Sequence, residues 1–167
     1  MKKLLLILPL ISSVLFSNNT LAQKAFKKQK KYFPQELIKR KFYLGMTKNE
    51  FMKKFPEAEF SVGREDNFRQ LYVHRNISDR IAAAVFYIDN EGEYPVYEVV
   101  LNISDSHNSS KMGETILGPP NYQGEWRFSP SDTGLDFQIA AWIFKNKLII
   151  ASNYPGSEWE EGFPDPE

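Results

Sequence analysis

The chain has no cysteine and only two histidines among its 167 residues. Without cysteine there can be no disulfide, thiol nucleophile, thiolate metal site or thioredoxin-type redox pair. A bacterial lipid anchor is excluded too, because it is built on a cysteine at the cleavage point. His74 and His107 are far apart in sequence, and no dense Asp/Asn/Gly loop accompanies them, so no metal-ligand spacing emerges. Neither a Walker loop nor a dinucleotide fingerprint is present, and no cofactor is expected. Net charge is also missing, with 21 Lys+Arg against 21 Asp+Glu.

Only one apolar run stands out, and it is at the start. Lys2 and Lys3 precede Leu4 to Leu15, which is broken by Pro9, and Thr20-Leu21-Ala22 then places small residues before Gln23. That order is the order of a secretory signal with cleavage after Ala22. The run falls short of the ~20 apolar residues a spanning helix needs, so no transmembrane segment is expected. The expectation is an exported protein, periplasmic or secreted, soluble after cleavage.

The balanced charge is unevenly placed. Lys24, Lys27, Lys28, Lys30, Lys31, Lys39, Arg40 and Lys41 crowd the start of the mature chain against Glu36, and Glu158, Glu160, Glu161, Asp165 and Glu167 crowd the end. The basic segment reads as a solvated leader, with contact to an anionic surface as the functional alternative. Nucleic acid is not an expected partner, because the rest of the domain is not basic. The tail, with Pro155, Pro164 and Pro166, reads as loosely packed. The expected divisions are a signal at 1–22, a basic leader at 23–32, units at 33–106 and 107–155, and an acidic tail at 156–167.

Local signals fill the two units. Pro34 suits the first turn of a short helix. Thr47 is placed to cap a helix that Pro56 stops. Glu50 stands at the capping-box position, Met46 and Phe51 at those of a hydrophobic staple, and Phe51 and Phe55 share a face. Phe68 to Asn76 alternates, Ile81 to Ile88 is apolar on both faces, and Tyr94 to Ile103 returns after Asp89-Asn90-Glu91-Gly92, which predicts antiparallel strands. Ser109 to Leu117 predicts a second helix, weakened by Gly113 at ~1 kcal/mol relative to Ala. Gly124 to Phe128, Leu135 to Phe144 and Leu148 to Tyr154 predict further strands. Ile81-Ala82-Ala83-Ala84-Val85-Phe86 is echoed by Ile139-Ala140-Ala141-Trp142-Ile143-Phe144, which points to a repeat. The expected fold is α+β: two tandem units, each with a short helix or helices packed on an antiparallel β-sheet.

The string Leu44-Gly45-Met46-Thr47-Lys48-Asn49-Glu50-Phe51 resembles the Gly-Met-Thr-x-x-Glu-apolar opening of SmpA/OmlA-type outer-membrane assembly accessory proteins and of β-lactamase-inhibitor-protein-like domains. Their Leu-Gly-x-Pro ending has its counterpart only at Leu117-Gly118-Pro119-Pro120. The resemblance implies helices on an antiparallel sheet and protein binding rather than catalysis. The lipidated cysteine of the first group and the disulfides of the second are absent here.

Ser104-Asp105-Ser106-His107-Asn108-Ser109-Ser110 contains the residue types of a hydrolytic triad. Neighbours in one loop rarely reach triad geometry, and no nucleophile elbow is present. A small hydrolase using His74 or His107 is therefore the alternative reading, beside a sugar- or lipid-binding module. The favoured reading is a non-enzymatic protein that binds another protein or an envelope component through an aromatic sheet face. Tyr72, Tyr122, Trp126 and Arg127 are its candidate binding residues, because Tyr and Trp beside Arg bury large area at low entropic cost. Trp142 reads as core.

Overall fold

The computed structural model describes residues 21–165, apart from 62–68, 91–92, 94 and 106. Most of the expected export signal, the ends of two predicted strands at Phe68 and Tyr94, and Ser106 lie outside the described residues. Seven strands form one antiparallel sheet in the order β1-β2-β3-β4-β7-β6-β5. They are β1 (Glu59–Phe60), β2 (Arg69–Arg75), β3 (Ile81–Asp89), β4 (Val96–Ile103), β5 (Trp126–Phe128), β6 (Ile139–Phe144) and β7 (Lys147–Ser152). The helices are α1 (21–29), α2 (Gln35–Lys39), α3 (Lys48–Lys54), α4 (Ser109–Leu117) and α5 (Pro130–Thr133). The α+β class is as expected. The strands of the two expected units share a single sheet, because β4 pairs with β7.

Register assigns each side chain to a face. Tyr72, Phe86, Val99, Ile150, Ala141 and Trp126 are direct partners across β2, β3, β4, β7, β6 and β5, and they lie on the inner face. Phe42, Phe51, Phe55 and Phe86 are fully buried there and meet ring to ring at 4.8–5.9 Å. Each large apolar side chain removed from water contributes roughly 1.5–3 kcal/mol before entropic costs. This aromatic cluster joins α3 to the sheet.

The Thr47 hydroxyl accepts the Glu50 N–H at 3.3 Å, as an N-cap should. Glu50 differs from expectation. Its carboxylate takes the Tyr43 hydroxyl and pairs with Lys54 at 2.7 Å, and the interaction lies along the helix rather than back to the cap. The full capping box is at Ser129 and Asp132, on α5, in the interval between two expected strands.

The N-terminal segment also differs from a solvated leader. α1 continues into a 3₁₀ turn, Lys30–Tyr32. Gln29 is fully buried, and its side-chain amide both donates to the Leu44 carbonyl at 3.0 Å and accepts the Leu44 N–H at 2.8 Å. Tyr32 and Phe33 join the core behind it. The lysines around these residues keep to the surface while their apolar neighbours turn inward.

α4 packs flush on the sheet because of Gly113. A Cβ there would stand 2.6 Å from Cη2 of Trp126. The indole N–H of Trp126 donates to the Gly118 carbonyl at 2.8 Å, which secures the end of the same helix. The glycine that weakened the helix in sequence is what lets the tryptophan fit.

Candidate functional site

The outer sheet face is built from the alternate residues. Arg127, Ala140, Ala151, Glu98, Tyr87 and Leu71 are direct partners in one row, and Trp142, Ile149, Val100, Val85 and Val73 form the next. Such a row would face water in a simple two-layer fold. Here Ala140, Ala151, Val100, Ile149 and Glu98 are buried. The C-terminal segment returns across the part of this face nearest β6 and covers it.

That return begins after β7. Gly156 adopts φ +85°, and a Cβ there would stand 3.2 Å from a carboxylate oxygen of Asp89. Glycine thus fits both the turn and the close approach. The buried Ser157 hydroxyl donates to the Ser152 carbonyl at 3.3 Å. Trp159 then stands edge-on to Trp142, with ring centroids 5.6 Å apart, and Phe163 completes a three-ring cluster at 5.7 and 6.3 Å. The indole N–H of Trp159 donates to Glu98 at 2.8 Å.

Charge holds both ends of this strap. Near its start, Glu158 pairs with Arg69 and accepts the Tyr97 hydroxyl at 3.3 Å. Towards its end, Arg127 donates to the Pro164 carbonyl at 2.8 Å, and its guanidinium lies 5.1 Å from the Phe163 ring centre. Tyr122 donates to Asp165 at 2.6 Å. Arg127 is itself steadied by Glu125 at 2.6 Å.

Burial dominates the titration of the groups beneath the strap. It pushes Glu98 up to about 7, against the Trp159 hydrogen bond, which favours the charged form. Burial likewise raises the Tyr97 hydroxyl. The exposed Tyr122 hydroxyl is raised by its bond to Asp165.

The four candidate binding residues therefore do not share one face. Tyr72 and Trp126 are on the inner face, 7% and 2% exposed, and belong to the core. Arg127 is on the outer face, and Tyr122 is beside it in the 118–125 loop, 37% exposed. Trp142, read as core, is half-buried under the strap instead. Sequence reasoning did not single out Glu98, a lone carboxylate in the apolar β4, or Trp159 and Phe163 as an aromatic pair four residues apart.

The histidines are in different surroundings. His74 is buried on the inner face beside Phe55, with ring centres 6.2 Å apart, and its Nδ1 has no partner. Burial lowers its pKa, and nearby Arg40 lowers it further. His107 is in the loop before α4. No group of three His, Asp or Glu side chains among the described residues could hold a metal ion. No helix of the described residues is long and apolar enough to cross a membrane. No family model, curated protein or solved structure matches this chain.

Proposed function

We propose that this is an exported, non-enzymatic binding protein that acts through the outer face of its sheet. The observation that carries the reading is the strap itself. An acidic segment with two aromatic rings lies between Arg69 and Arg127 and over Trp142. The face thus has the chemistry of a peptide-binding surface, and the chain's own tail has the chemistry of its ligand. The partner would be a protein that presents a similar acidic, aromatic segment and competes with the tail. Of the residues first considered, Tyr122 and Arg127 remain in this role. The hydrolase alternative has less to support it: His74 is buried beside Phe55, and the charged groups near it, Arg40 and Glu57, pair with each other rather than forming a nucleophile–base–acid series. We also read the chain as a duplication. The series α3-β2-β3-β4 and α4-β5-β6-β7 run in parallel order, with α5 inserted in the second, and the echoing segments fall on β3 and β6.

The test uses a labelled peptide copying residues 156–165 and the full chain carrying Trp159→Ala and Phe163→Ala, which loosens its own strap. The peptide is expected to bind this variant more tightly than the wild type. Adding Arg127→Glu should weaken capture by about tenfold or more, as loss of an arginine anchor does at interfaces. Failure of the peptide to bind a variant that keeps its native circular dichroism would overturn the reading.

A further inference from the structure

A second concavity is lined by residues of the 30–38 segment and of α4, with Arg80 and the loop before α4. Its volume is about 520 Å³, within the usual range of about 300–1,000 Å³ for small-molecule sites. Phe33, Pro34, Ile38, Met112 and Ile116 supply apolar lining, and Phe33 and Met112 belong to the core. Lys30, Lys31, Arg80 and Lys111 line it as well, and no carboxylate does. Arg80 is already paired with Glu36 at 3.0 Å. Neither Lys30 nor Lys111 has a carboxylate partner among the described residues. The site is thus apolar in its lining and cationic in its charge, with two lysines uncommitted.

We propose that this cleft binds a fatty acid: a single acyl chain along Phe33, Ile38, Met112 and Ile116, with its carboxylate held by Lys30 and Lys111. Charge complementarity requires an anion, and the apolar lining requires a hydrocarbon body. A peptide fits less well, since each of its amides must find a partner when desolvated. Besides the cations, its polar lining is Gln35, His107, Asn108 and Thr115. The Thr115 hydroxyl already donates to the Lys111 carbonyl at 2.7 Å, and the Asn108 side chain already accepts the Lys111 N–H at 2.9 Å. The site is on the helix-bearing side of the sheet, and it stands or falls independently of the strap.

The experiment is a methyl-detected NMR titration of the full chain, labelled at Ile and Met, with dodecanoate below its micellar concentration. Saturable shifts are expected at Ile38, Met112 and Ile116. The exposed double variant Lys30→Glu/Lys111→Glu should bind dodecanoate at least about tenfold more weakly, the scale of 1.4 kcal/mol. Dodecyl maltoside, with the same chain and a neutral head, should bind weakly to both proteins. Three results would each overturn the proposal: no saturable shift at those methyls, equal dodecanoate affinity in the charge-reversed protein, or dodecyl maltoside binding as tightly as dodecanoate. A tri-leucine peptide that displaces dodecanoate at lower concentration than dodecanoate itself binds would overturn it in favour of a peptide site.

Discussion

Gly113 illustrates how one missing methyl group sets a distance between layers. On an isolated helix, Gly113→Ala would gain ~1 kcal/mol in propensity. In the fold, the new Cβ must enter the space that Trp126 fills, and the indole is held by its bond to Gly118. Overpacking a close-fitted site costs roughly 1–3 kcal/mol, so the variant should have a lower denaturation midpoint than the wild type. Glu98 makes the parallel point for charge. Its pKa is near 4.5 when exposed and rises to about 7 in the fold. A raised carboxylate pKa means that the folded form holds its proton more tightly than the unfolded form. The contribution to stability is therefore complete below about pH 4.5 and is lost as pH rises through 7. Arg69, Glu158, Tyr97 and Trp159 are the charged and polar groups around it. Glu98→Gln can still accept the indole N–H but does not titrate. Denaturation midpoints across pH 4–8 should be flatter for the variant, and at pH 8 it should be the more stable protein, by an amount on the order of 2 kcal/mol.

Individual elements owe their positions to a few polar ties set in apolar surroundings. Gln29 joins α1 to the turn before α3 by satisfying both backbone groups of Leu44. Buried backbone groups left without partners cost roughly 1–3 kcal/mol each. Gln29→Ala is therefore expected to destabilise the protein by about 2–4 kcal/mol, and hydrogen exchange at Leu44 should accelerate. A solvated leader would show neither effect. The strap is an element of another kind. It has no regular secondary structure, and it depends on three rings and two arginines that come from three separate strands and its own sequence. Its attachments are more exposed than those of α1, so it should open at lower free energy than the sheet.

For the molecule as a whole, the central pairing of β4 with β7 matters most. It makes one continuous sheet of strands from both halves, with helices against the inner face and the strap on the outer one. The proposed peptide surface and the proposed fatty-acid cleft therefore lie on opposite sides of the same sheet, and each can be altered without disturbing the other. The proposed export also belongs to this scale. If the chain is cleaved after Ala22, N-terminal sequencing of the protein recovered outside the cytoplasm should begin at Gln23. Recovery of a mature chain that still begins at Met1 would contradict it.

Much of this protein was legible in its sequence wherever structure depends on neighbours within a turn or two. The cap at Thr47, the bounds of α4 and the alternation of β2 follow from short-range hydrogen bonding and from the periods of helix and strand. The α+β class follows from those elements together. Residues far apart in sequence decided the rest. Trp126 and Arg127 are adjacent, yet the pleat sends one into the core and the other to the outer face, and the pairing with β6 determines which goes where. Glu98 is an ordinary carboxylate until a segment sixty residues later covers it. The tail looked loose because its polar composition offers no local partner. Its partners, Trp142, Arg69 and Arg127, are assembled only when the strands take their places. Local propensity is written residue by residue, whereas burial and electrostatics depend on contacts that close only in three dimensions.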